Sequence, residues 1–215
     1  MFVLNETPSI ANHFLAELRD KVIQKNRSQF RQNLIRLGEM LAYELSKSLE
    51  YDSKEVATPL GMAKVDLLRE APVLITIMRA GIPFFEGFLN IFNHSDCGFI
   101  GAYRNGEGDD ASFEINMEYV ATANIEGKEI IVIDPMLATG QSLIASLQAL
   151  VKYGKPKHVH VAAAFAAPEG IKYLNEQIEL PHSFWFAAVD EKLNHKAYIV
   201  PGLGDAGDLS FGNKI

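Results

Sequence analysis

The sequence predicts an α/β fold, a mostly parallel sheet flanked by helices. Residues 73–78 (Val-Leu-Ile-Thr-Ile-Met) and 129–133 (Glu-Ile-Ile-Val-Ile) are short, β-branched and almost wholly apolar. That is the pattern of strands buried on both faces of a parallel sheet. Each run leads through a turn of small residues or proline into a helical pattern, the strand–helix alternation of α/β proteins. With 215 residues, 48% of them apolar, the chain is long enough for one such unit with a substantial core.

The net charge is −7, which argues against a general nucleic-acid binder, since such a protein shows a basic face. Cys97 is the only cysteine, so no intrachain disulfide forms, and a cytoplasmic location is expected. Residues 1–10 lack a basic start and a long apolar run, so no signal peptide is expected there. No stretch has the roughly 20 apolar residues of a membrane span.

In chain order, residues 5–25 are mixed in character and suit one short helix. Phe30, Leu34, Leu37, Leu41 and Leu45 recur at three- and four-residue steps, which predicts an amphipathic helix over 28–49. Thr58-Pro59-Leu60-Gly61 is a turn signal between two short strands, a hairpin over about 56–64. The strand 73–78 delivers Arg79-Ala80-Gly81, and Pro83 suits the first turn of a helix over 82–92. An arginine at the carboxyl end of a buried strand is costly unless it meets an anion. Phe84, Phe85, Phe88 and Phe92 read as core, and Glu86 as either an exposed residue or a partner of the site. Residues 97–103 read as a strand ending at Arg104. A polar, glycine-containing run follows at 105–110, and 112–119 alternates as a half-exposed strand. A loop before such a strand has the form of a closing lid.

Next come Asp134-Pro135-Met136-Leu137-Ala138-Thr139-Gly140-Gln141-Ser142 and a helix with Leu143, Ile144, Leu147, Leu150 and Val151 on one face and Gly154 as its cap. The helix N-terminus points at this turn, and its unpaired N–H groups and dipole suit a phosphate. Asp134 sits at the carboxyl end of its strand, where open α/β sheets bind ligands, and suits ribose hydroxyls or a metal. Residues 158–165 form a further strand with His158 and His160 on one face. Two histidines alone do not make a metal site, and hydrogen-bonded or solvated histidines are the plainer expectation. A helix over 168–177 and a strand over 183–189 complete the alternation. Gly202-Leu203-Gly204-Asp205-Ala206-Gly207 matches the dinucleotide pattern G-x-G-x-x-G, but too little chain follows for that unit.

Three stretches together carry a resemblance. Residues 134–142 resemble the phosphoribosyl pyrophosphate (PRPP) motif of type I phosphoribosyltransferases, and their wording is similar to the uracil branch. Met78-Arg79-Ala80-Gly81 and Tyr198-Ile199-Val200-Pro201-Gly202-Leu203-Gly204-Asp205-Ala206-Gly207-Asp208 resemble the same branch, in the same order. The resemblance runs from about Phe30 to the C-terminus. It implies a type I phosphoribosyltransferase-like fold over 1–215, with an N-terminal helix and hairpin arm at about 28–65, a PRPP-binding core at about 70–190 and a base-binding loop at about 198–208.

The resemblance further implies transfer of the phosphoribosyl group of PRPP to uracil, giving UMP and pyrophosphate. Arg79 and Arg104 would bind pyrophosphate. Asp134, Pro135, Met136, Leu137, Ala138, Thr139, Gly140, Gln141 and Ser142 would cradle the ribose phosphate. Ile199, Gly204, Asp205 and Ala206 would read uracil, largely through the backbone. Asp205 would also face PRPP and a Mg2+ held mostly by substrate oxygens, and is the best candidate for a base. A homodimer with contact through the hairpin arm, or a higher homo-oligomer, is implied, and GTP activates some relatives, so a GTP effector is an expectation. The alternative on this fold is a catalytically weak or regulatory protein that senses uridine nucleotides. Two departures stand out. The lid lacks the Thr-Leu-x-Pro and Lys-Leu stretches usual in relatives, and Gln141 replaces a usual glycine. Gln is tolerated there with helical dihedrals and strained with positive φ.

Overall fold

The computed structural model describes residues 1–105 and 114–213, and the side chains of 102–118 lie outside that description. The N-terminal segment forms a short edge strand β1 (Phe2–Val3), helix α1 (Ala11–Arg19) and helix α2 (Arg27–Ser46). Asn26 caps α2 by accepting the Gln29 N–H at 3.2 Å. The stripe Phe30, Leu34, Leu37, Leu41 and Leu45 is fully buried, as its period requires. The helix stops three residues short of 49, but Leu49 still packs into the core.

Strands β2 (Tyr51–Thr58) and β3 (Gly61–Leu68) pair antiparallel as an arm outside the main sheet. Thr58 Oγ1 accepts the N–H groups of Leu60 and Gly61 and closes the tip. The remaining elements are β4 (Val73–Met78), α3 (Gly81–Ile91), β5 (Cys97–Asn105), β6 (Glu114–Ala121), β7 (Glu129–Ile133), β8 (Met136–Leu137), α4 (Gln141–Leu150), β9 (His158–Ala166), α5 (Pro168–Gln177), β10 (His182–Val189), β11 (Lys192–Leu193), β12 (Ile199–Val200) and α6 (Ala206–Phe211).

Among the described residues the main sheet runs β1-β10-β9-β7-β4-β5-β6, with β8 also paired to β9. Every pairing is parallel except β5 with β6. Strand β7 shows why its sequence is apolar on both sides. Ile130 and Val132 pack with Leu143 and Leu150 of α4 and Leu174 of α5. Ile131 and Ile133 pack on the other face with Phe30 and Leu34 of α2 and Phe84 and Phe88 of α3. Helices α2 and α3 approach so closely that a Cβ on Gly87 would lie 2.2 Å from the Ile35 carbonyl oxygen.

Three expectations are corrected or decided. Val151 does not join the buried face of α4. It is 72% exposed, because the helix ends at Leu150 and a 3-10 turn carries the chain to Gly154. Glu86 is exposed on α3. A six-residue helix, α6, begins inside the G-x-G-x-x-G stretch at Ala206, and no dinucleotide unit follows it among the described residues. The parallel arrangement gathers the loops after β4, β7 and β10 at one rim of the sheet, where α/β proteins bind ligands.

Candidate active site

The loop after β7 is held from both ends. Asp134 N–H still bonds to Ala162 O on β9, and the half-buried Asp134 carboxylate accepts the Met136 N–H at 3.1 Å. Met136 and Leu137 then form β8 against Phe165 and Ala166. This part of the loop is an added strand rather than an open turn. Gly140 has φ +81°, a left-handed geometry that glycine adopts without strain, and its missing Cβ would lie 3.1 Å from Leu174. Helix α4 starts at Gln141. Gly140 at the cap position offers no side chain, so the helix N-terminus has the form that binds a phosphate. Gln141 itself is helical: Ala197 is the only non-glycine residue with positive φ among the described residues.

Arg79 leaves the end of β4 and turns toward the C-terminal segment. Its Nη2 donates to Asp208 Oδ1 at 2.9 Å and to Gly212 O at 3.2 Å. Its Nε is buried and has no partner among the described residues. A buried guanidinium donor without an acceptor is costly, and an anion would satisfy it. Asp205 caps α6, its Oδ1 accepting the Asp208 N–H at 2.9 Å. Ile199 is 5% exposed, packs in the core and lies in β12 opposite Leu193.

Of these residues, Asp205 and Asp208 border a cleft of about 530 Å³, lined also by Leu203, Gly204, Leu209 and Asn213 and by Gln24, Lys25 and Arg27.

A family model described as uracil phosphoribosyltransferase matches residues 5–213. The chain belongs to the uracil phosphoribosyltransferase family. It is 43% identical over 207 residues to the uracil phosphoribosyltransferase of Porphyromonas gingivalis, covering 96% of this chain and 95% of that protein. Among solved structures, the AQ2163 protein from Aquifex aeolicus superposes with a TM-score of 0.84 at 34% identity, over 96% of each chain. A hypoxanthine phosphoribosyltransferase from Staphylococcus aureus shares the fold at 14% identity, with a TM-score of 0.50 over 76% of each chain. The fold expected from the sequence, type I phosphoribosyltransferase-like, is the one this chain adopts.

For a uracil phosphoribosyltransferase, the residues gather as follows. Arg79 meets the loop 204–208 through Asp208, which lines the cleft, and β7, adjacent to β4, carries residues 134–142 to the same end of the sheet. The Arg104 backbone lies in β5 opposite Ile115, but its side chain, and residues 106–113 of the expected lid, lie outside the described residues. Sequence reasoning missed Asp208, the partner of Arg79, and the N-terminal wall of Gln24, Lys25 and Arg27. Asp208 ends a motif whose other residues drew attention first, and the wall carries no motif at all.

His158 and His160 belong elsewhere, at the amino end of β9. His160 Nε2 meets the Glu129 carboxylate at 2.8 Å, so it carries the proton there, and Nδ1 accepts from the Ser183 hydroxyl at 2.8 Å or from Trp185 Nε1–H at 3.2 Å. His158 Nε2 also meets Ser183 Oγ, at 3.1 Å. Burial pushes both histidines below their usual range, more strongly than Glu129 pulls them up. Burial also raises the Glu129 carboxyl, but hydrogen bonds from His160 and Lys157 outweigh it and hold it below its ordinary value.

Proposed function

We propose that this chain transfers the phosphoribosyl group of PRPP to uracil, releasing pyrophosphate and UMP. The observation that carries this reading is the meeting of Arg79 with the glycine-rich loop at Asp208, beside the cleft and one strand away from the phosphate cradle. Uracil N1 forms its bond to ribose C1 as the bond from C1 to pyrophosphate oxygen breaks, and positive charge builds on the ring. The α4 N-terminus, with residues 135–142, fixes the 5′-phosphate, and Asp134 takes the ribose hydroxyls. Arg79 and Arg104 balance the charge of the departing pyrophosphate. The backbone of Ile199, Gly204, Asp205 and Ala206 reads O2, N3–H and O4 of uracil. Cytosine would leave a buried polar group unpaired, at a cost of roughly 1–3 kcal/mol. Asp205, which also faces PRPP, is the group placed to accept the proton that leaves N1.

Mg2+ fits this site. Asp205 and Asp208 offer hard oxygen donors at the cleft, and Mg2+ takes one or two carboxylates and completes its shell from substrate oxygens. Asp205 would hold it, and the ion would neutralise pyrophosphate charge. The same reading includes one phosphoribosyltransferase unit over 1–215, a homodimer through the β2–β3 arm, a GTP effector and a cytoplasmic location. No helix among the described residues is long and apolar enough to cross a membrane.

The test is pyrophosphate release from PRPP with Mg2+, comparing uracil with cytosine, hypoxanthine and no base. Turnover with uracil alone is expected. A folded protein that binds UMP yet releases no pyrophosphate with any base would instead be a sensor of uridine nucleotides.

A further inference from the structure

The last residue of α1 and the residue after β10 meet across the fold. Arg19 Nη1 donates to Asp190 Oδ2 at 2.9 Å, and Nη2 donates to Oδ1. The Asp190 side chain is only 4% exposed. The same pair grips one residue of the C-terminal loop from two directions. Arg19 Nη1 donates to Gly202 O at 3.0 Å, and the Gly202 N–H donates to Asp190 Oδ2 at 2.9 Å. Both hydrogen-bonding groups of Gly202 are thereby fixed. The Arg19 guanidinium also lies over the Phe165 ring, 4.5 Å from its centroid, which leaves it little freedom to swing away. Gly202 has φ +57°, and a Cβ there would fall 2.1 Å from Ile199 O, so the gripped residue is a tight bend that no other residue type fits.

Gly202 stands between Ile199 and Gly204, within the stretch assigned to uracil. A loop that reads a base with its backbone discriminates only if its N–H and C=O groups are held to a fraction of an ångström. Side-chain readers can adjust by rotation, but peptide groups cannot. An ion pair with one buried partner is also a poor way to gain stability, since desolvation offsets its attraction, and it serves better to fix one arrangement. We infer that Arg19 and Asp190 are positioning residues for the base-reading loop, setting uracil affinity and selectivity from outside the cleft. The inference rests on the uracil reading of residues 199–206. It makes α1 part of the base site, although no residue of α1 lines the cleft.

Two variants test it. Arg19→Lys keeps the charge, but one ammonium cannot span both Asp190 oxygens and Gly202 O in a fixed fork. Asp190→Asn keeps the shape and removes the charge. In each, KM for uracil is expected to rise roughly tenfold or more while KM for PRPP stays within about twofold. The preference for uracil over 5-substituted uracils is expected to narrow. Val159→Ala, a cavity at the amino end of β9, serves as the control for lost stability and is expected to leave KM for uracil within about twofold. Should Asp190→Asn not fold, Arg19→Lys decides alone. KM values for uracil that stay at the parent level while Tm falls would overturn the inference, as would an equal rise in Val159→Ala. A parent protein inactive with uracil would overturn the proposed reaction together with the inference. An active parent with unmoved variants would overturn the inference alone.

Discussion

Gln141 and Gly140 stand side by side at the mouth of α4, yet substitution at the two positions has opposite consequences. The left-handed dihedral falls on Gly140, so Gln141 presents its N–H as a glycine there would. Gln141→Gly is expected to leave KM for PRPP within about twofold and to cost roughly 0.5–1 kcal/mol of stability, because glycine loosens the first helical turn. Thermal unfolding and steady-state kinetics on one preparation check both halves. Gly140→Ala places a Cβ in the strained region and 3.1 Å from Leu174, so KM for PRPP is expected to rise several-fold. In the proposed reaction, Arg79→Gln removes the cation that would balance the departing pyrophosphate. Pyrophosphate release is expected to fall by about 10²–10³-fold, with KM for uracil little changed. An Arg79→Gln protein as active as its parent would mean that Asp208, and not a substrate anion, is the partner Arg79 serves.

Between elements, two contacts have measurable consequences. The α2–α3 crossing depends on Gly38 and Gly87 lying backbone to backbone. Gly87→Ala is expected to force the helices apart and destabilise the fold by ~1–3 kcal/mol, read as a shift in the denaturant midpoint. At the amino end of β9, half-buried His158 and buried His160 resist protonation in the folded state, while the unfolded chain takes up protons near its ordinary histidine value of 6.5. Stability from this source is full above pH 6.5 and declines as pH falls below it. The depressed Glu129 adds a second loss below its ordinary value of 4.5. Tm measured from pH 8 to pH 5 should be flat and then fall, and His160→Gln should make the fall shallower. The β7–α4 unit was readable in the sequence because its evidence is local: an apolar strand, an acid, a glycine and a helical period lie within 25 residues. The Arg19–Asp190–Gly202 contact was not, because its partners are separated by 171 and 183 positions. A solitary arginine at the end of a short helix has no spacing that marks it. Asp208 was passed over for a related reason: its motif points to the base, whereas its carboxylate faces an arginine from β4.

For the molecule as a whole, the β2–β3 arm carries apolar side chains that its own partner strand does not cover. Leu60 is fully exposed and Met62 is 63% exposed. A hairpin standing outside the sheet is marginal by itself, and a second copy would bury it. Sedimentation is expected to give a dimer, and removal of residues 53–66 to give a monomer. A monomer before removal would assign the arm another role. The grip of Arg19 on Gly202 bears on the molecule in time as well as in space. A ribosome adding about 5–20 residues per second delivers Gly202 roughly 10 to 40 seconds after Arg19. Before Gly202 arrives, β7, α4 and β9 are already made and the proposed phosphate cradle can take shape, while the loop proposed for the nucleobase has yet to be completed. A polypeptide cut short by a premature stop before residue 199 would therefore retain the cradle for one substrate and lack the reader for the other.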